Sequence, residues 1–179
     1  MQKHGNSVEQ GFGEKELREL RPRFNAFVQA ISKNMVPVRT DGSGVAHYDS
    51  QKDAVYIPRQ KDFEHYTDYA QETLRQIIAA TGHQQRLARE GMVMKNGVPP
   101  TEDAVKQEHL ISEIASGIKM LEMGLPARLS DENIKMVDYW SRELKENPCL
   151  IDAIESDVNN ALEVIRKADE ARKSNMPPI

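Results

Sequence analysis

"ETLRQIIAATGHQQRL", residues 72–87, sets Leu74, Ile77 and Ile78 at helical spacing and then breaks at Thr81-Gly82-His83. Extended backwards, the same 3.6-residue period takes in Tyr66 and Ala70, so the spacing predicts a helix over 62–81. Tyr66, Ala70, Leu74, Ile77, Ile78 and Thr81 would share its apolar face, and Gly82 is a suitable C-terminal stop.

Upstream of this helix the period changes. "VPVRT" (36–40), "GVAHYD" (44–49) and "AVYIPR" (54–59) are short β-branched and aromatic runs, separated by the turn compositions Asp41-Gly42-Ser43-Gly44 and Asp49-Ser50-Gln51-Lys52. They predict three short strands in a small antiparallel sheet. Before them, Phe24, Phe27, Val28 and Ile31 form one helical stripe, with an interruption expected near Pro22 and an end before Pro37. Residues 1–13, polar and holding three glycines, are expected to be a flexible lead-in.

Downstream the pattern is helical throughout. After a polar loop with Gly91, Gly97 and Pro99-Pro100, Thr101 can cap a helix that ends at Gly124 and Pro126. Ser130 is placed to cap "DENIKMVDYWSRELKE", whose first turn is acidic, as the helix dipole favours. Pro148 opens the last helix, with Leu150, Ile151, Ile154, Val158, Leu162 and Ile165 as its stripe. The expected architecture is α+β: about three strands and about five helices in one domain over 14–172, with 173–179 a frayed tail.

Composition narrows the function classes. The 179-residue chain is 29% charged with both signs interspersed, and its net charge of −4 gives no global attraction to a phosphate backbone. Lys15, Arg18, Arg21 and Arg23, like Arg86, Arg89 and Lys95, read as solvated helix faces, which leaves only a weak or indirect association with DNA. Cys149 is the single cysteine, so there is no internal disulfide and no multi-cysteine zinc site; it is expected to be a buried or bystander thiol. No apolar run approaches the roughly 20 residues of a membrane span, and residues 1–16 lack the apolar core of a signal peptide. A cytoplasmic protein without membrane contact is expected.

From Phe24 to Ile165, about four-fifths of the chain, the order of elements carries a resemblance. It runs through "AHYDSQKDAVYIPRQKDF" (46–63), the helix before Thr81-Gly82-His83 with "QQRL" after it, "EHLISEI" (108–114), "YWSRELKENPCLI" (139–151) and the closing helix. This resembles the zincin-type metallopeptidase domain of ArdC-type antirestriction proteins and of related polyvalent proteins of conjugative elements and phages.

The resemblance implies a zincin-like fold. It also implies that the helix before Thr-Gly-His should carry His-Glu-x-x-His, in which two imidazoles hold Zn²⁺ and the glutamate activates its water, with a third, glutamate ligand from a later helix. Anchored on Thr81-Gly82-His83, those five positions here are Arg75, Gln76, Ile77, Ile78 and Ala79. Arg has no lone pair to donate, Gln cannot take a proton, and Ala has no ligand atom. The family's Glu-Glu-Leu-x-x-Glu corresponds to Glu108-His109-Leu110-Ile111-Ser112-Glu113, so the third ligand is either retained in Glu108 or replaced by His109.

The expectation is therefore a catalytically inactive zincin-like domain with no metal and no cofactor. It would act as a protein-interaction or structural module of a mobile-element or phage-associated protein linked to antirestriction or DNA transfer, with an unknown protein or peptide as partner. Its degenerate cleft would be lined by Arg75, Gln76, Ala79, His83, Glu108, His109 and Glu113. The alternatives are a metallopeptidase-like enzyme with a metal site relocated to His83, His109, Glu108 or Glu113, and a DNA-associated accessory domain. A carboxylate left pointing into such a cleft needs a counter-ion, so Arg75 is expected to pair with Glu108 or Glu113, or with Glu72 one turn earlier. The plainer readings make His83 a hydrogen-bonded cap or surface residue, His47 a residue that faces solvent or pairs across the sheet, His65 a surface residue, and Tyr139 and Trp140 core anchors.

Overall fold

The computed structural model describes residues 14–42, 44–129 and 131–174. The expectations for residues 1–13, for Ser130 as a cap and for 175–179 lie outside the described residues. In chain order the elements are α1 (Glu14–Asn34), β1 (Val38–Thr40), β2 (His47–Asp49), β3 (Ala54–Ile57), α2 (Tyr66–Thr81), α3 (Glu102–Glu122), α4 (Asp131–Glu146) and α5 (Cys149–Ser174). Two 3-10 turns, Gln60–Asp62 and Glu90–Met92, precede α2 and α3.

α1 runs through Pro22 without a break. The interruption expected there is absent because the burial gained downstream exceeds the penalty. An interior proline costs about 3 kcal/mol, whereas each fully buried Phe or Ile stabilises by about 1.5–3 kcal/mol, and Phe24, Phe27 and Ile31 are all inside. Phe24 meets the rings of Tyr66 and Tyr69 edge-on at 6.1 and 6.2 Å, which locks α1 to the start of α2.

The three strands form one sheet in the order β1-β3-β2. β2 and β3 are antiparallel, as expected, but β1 runs parallel to β3, so the sheet is mixed rather than wholly antiparallel. Ala54, Val55 and Ile57 of β3 are buried, and this most apolar run takes the centre. Turn composition marks where a chain reverses but does not say which strand it then pairs with. The β2–β3 turn is built on Asp49, whose Oδ1 accepts from the backbone N–H groups of Gln51 and Lys52, each at 3.0 Å.

α2 buries Tyr66, Ala70, Leu74, Ile77, Ile78 and Thr81. Thr101 Oγ1 accepts from the Ala104 N–H at 3.2 Å and starts α3, and Gly124, at φ +79°, turns the chain out of it. In α5 the stripe of Ile154, Val158, Leu162 and Ile165 is buried, but Ile151 is exposed. Trp140 is buried, whereas Tyr139 sits at the rim and donates to Asp103 Oδ1 at 3.1 Å. Among the described residues no helix is long and apolar enough to cross a membrane.

Candidate functional site

Glu72, Arg75, Gln76 and Ala79 recur at three- and four-residue intervals and so share the face of α2 that does not enter the core. They look across at Val105, Glu108, His109, Ser112 and Glu113 of α3. Gly91 and Met92 from the second 3-10 turn and Asn133 from α4 close a cleft of about 220 Å³. Six of the seven expected site residues therefore meet in one place. His83 does not: it lines a separate depression with Ser50, Lys52, Asp53 and Gln84. It lies just past the end of α2, where its Nδ1 accepts from the Gln85 N–H at 3.2 Å and its ring meets Tyr48 edge-on.

Arg75 lies across the cleft. Its Nε and Nη2 donate to the two oxygens of Glu113 at 2.9 and 3.0 Å, and its Nη1 donates to Glu72 Oε2 at 2.8 Å. This is the bidentate, charge-assisted pairing that a guanidinium favours. Asn133 Nδ2 adds a bond to Glu113 Oε2 at 2.8 Å, and Gln76 Nε2 one to Glu72 Oε1 at 2.8 Å. Burial pushes the Arg75 pKa down, but the hydrogen bonds to Glu113 and the charges of Glu113 and Glu72 outweigh it and hold the group above its ordinary value.

Glu108 is held by a different cation. Arg89 Nε donates to Glu108 Oε2 at 2.7 Å, and Nη2 donates to its other oxygen as well as to the Ile78 carbonyl at 2.9 Å. Arg89 Nη1 donates to Thr81 Oγ1 at 2.7 Å. The two charged side chains are only 3% and 5% exposed, so Arg89 is not the solvated residue expected from its place in the sequence. Arg86 is not solvated either: its Nη1 donates to Asp53 Oδ2 at 3.0 Å and its Nη2 to the Tyr48 hydroxyl at 3.2 Å. Arg18, Arg21, Arg23 and Lys95 are exposed, as expected.

Sequence reading had no route to Arg89 or Asn133. The one local signal is glycine. A Cβ on Gly82 would fall 2.9 Å from Arg89 Nη2, and one on Gly91 would fall 2.4 Å from the Ala104 carbonyl oxygen, so both glycines let the 82–92 loop press Arg89 inward. Gly82 itself has an ordinary helical φ of −77°, so it serves close approach rather than a left-handed turn.

The side chains of the cleft do not suit a zincin metal. Position 75 holds a cation, positions 76 and 79 offer no imidazole, and the carboxylates of Glu108 and Glu113 each face a guanidinium. Among the described residues no three His, Cys, Asp or Glu side chains are grouped as a metal site would require.

A family model described as a zincin-like metallopeptidase matches residues 22–155. Among solved structures, the antirestriction protein ArdC from plasmid R388 is similar in both a Mn(II)-bound and a metal-free crystal structure. In each the TM-score is 0.70 at 23% sequence identity, covering 83% and 84% of this chain and 52% and 51% of the ArdC chain. The chain thus spans about half the length of these structures, and at this identity the likeness speaks for the fold. No protein of curated function matches.

Proposed function

Because the chain belongs to the zincin-like metallopeptidase family, matched over residues 22–155, we propose that it is a zincin-like domain without peptidase chemistry. In this reading it serves as a protein-interaction or structural module in the cytoplasm, within a protein of a mobile element or phage. The observation that carries the reading is the Arg75–Glu113 fork, which lies across the cleft between α2 and α3. A fixed cation there repels a metal, and Gln76, at the position of the family's general base, is an amide that cannot take a proton from water.

The likeness of fold to ArdC, whose name marks it as an antirestriction protein, supports placing the chain in antirestriction or DNA transfer. A direct hold on nucleic acid is not favoured, because Arg86 and Arg89 spend their charge on Asp53 and Glu108. The test is elemental analysis of protein purified without chelator, paired with a peptidase assay on unfolded casein. Substoichiometric metal and no cleavage are expected. Stoichiometric zinc or manganese, or cleavage abolished by a chelator, would overturn the reading.

A further inference from the structure

Among the described residues, the cleft holds more carboxylates than guanidiniums. Arg75 spreads a single guanidinium over two carboxylates, Glu113 through Nε and Nη2 and Glu72 through Nη1. Arg89 is used up by Glu108, Thr81 and the Ile78 carbonyl. Three carboxylates are therefore met by two guanidiniums. Asn133 and Gln76 also reach them but are neutral, and neutral dipoles do not cancel a charge withdrawn from water. The excess is accessible at Glu72, whose side chain keeps 28% of its surface exposed, against 1% for Glu113.

A second observation points to a ligand at the same place. Ser112 lines the cleft, is only 8% exposed, and its hydroxyl has no hydrogen-bond partner among the described residues. A helical serine commonly bonds back to the carbonyl four residues earlier, so this hydroxyl stands ready for something that enters the cleft. Ala79, Met92 and Val105 supply apolar wall. At about 220 Å³ the space is below the ~300 Å³ typical of sites for drug-sized ligands and suits one side chain.

We propose that the cleft receives a lysine side chain of a partner protein, with Glu72 as counter-ion, Ser112 as a second acceptor, and Ala79, Met92 and Val105 around the methylenes. An ammonium suits the site better than a guanidinium does. Both Glu72 oxygens already accept one bond each, from Gln76 and Arg75, so the paired edge onto which arginine forks is taken. An ammonium collects single lone pairs from separate groups. The chain's own Lys106 is engaged outside the cleft, 2.8 Å from Glu102 and over the Tyr139 ring.

This rests on the protein-interaction reading above, and the test separates the two. The full chain, labelled with ¹⁵N, is titrated by NMR with N-acetyl-lysine methylamide, and with the norleucine and arginine analogues as controls. Saturable shifts around 72–79 and 105–113 are expected, with a Kd on the order of 1 mM for so small a probe. The norleucine analogue should bind at least tenfold more weakly. Glu72→Gln should remove that preference and Ser112→Ala should weaken it, each with the wild-type spectral dispersion retained. No saturable shift with the lysine probe up to ~10 mM, equal binding of norleucine or arginine, or undiminished binding by Glu72→Gln would overturn the proposal. Metal analysis of the same sample gives the separation: metal-free protein that ignores the lysine probe sinks this inference alone, whereas stoichiometric metal sinks the non-catalytic reading.

Discussion

Arg89 and Glu108 show what a buried ion pair does to its surroundings. The pair contributes little in net terms, since desolvating both ions offsets their attraction, yet neither partner can be lost alone. Arg89→Met leaves Glu108 charged and uncompensated and should cost about 3–5 kcal/mol in urea unfolding. Adding Glu108→Leu to Arg89→Met should restore most of that loss; additive losses would show that the two act separately. Tyr66 is the opposite case. Its hydroxyl is buried with no hydrogen-bond partner, and burial pushes its pKa above the usual phenol value. Tyr66→Phe removes an unpaid desolvation and keeps the ring under Arg21, so unfolding should show no loss and a gain of up to ~1 kcal/mol. At this scale the sequence was informative about Arg75, since the need to neutralise a carboxylate in a cleft pointed to Glu108, Glu113 or Glu72, of which the structure takes Glu113 and Glu72. It was silent about Arg89, because a partner 19 residues away cannot be read from helical spacing.

The elements around the cleft are held by two contacts that spacing does not reveal. The turn before α3 lies so close to it that a Cβ on Gly91 would meet backbone and not a yielding side chain. Gly91→Ala should push the turn off α3, cost about 1–3 kcal/mol, and raise amide exchange across 89–92. On the other side, the β2–β3 turn is tied to the loop after α2 by Asp53, Tyr48 and Arg86. The hydrogen bond from Arg86 holds the Asp53 carboxyl below its usual range, against burial, with help from Tyr48. A depressed folded-state pKa means stability that is present above the unfolded value of about 4 and is lost as the pH falls through the folded one. Tyr48, raised by burial first and Asp53 second, contributes below pH ~10 and fades above it. Thermal melts of Asp53→Asn against the parent should therefore differ most at neutral pH and converge as the pH drops below about 4. A gap that stays constant through the acid range would contradict the assignment. α2, α3 and α5 were legible because amphipathic stripes and caps are local. The direction of β1 was not, because a three-residue strand carries no record of its neighbour.

For the molecule as a whole, family membership rests on the match over residues 22–155, and the arrangement of α2 against α3 can be tested by rebuilding what it lacks. Arg75→His, Gln76→Glu and Ala79→His together would set two imidazoles one turn apart on the cleft face of α2, across from Glu113. The triple variant should bind zinc at one per chain and melt higher with it, while the parent does not respond. A variant that folds but takes up no zinc would mean that α3 no longer presents its carboxylate where a zincin does. Sequence alone determined where the principal helices lie and which faces they bury, because burial periodicity is written within each element. It also determined that an arginine, an amide and a methyl group occupy 75, 76 and 79, so that none of the three positions carries an imidazole or a carboxylate. Only the tertiary structure decided that Glu113 takes Arg75 while Glu108 takes Arg89, that His83 falls outside the cleft, and that β3 sits between β1 and β2. Those choices depend on how close-packed elements dock across tens of residues, and a period of two or 3.6 residues holds no information at that range.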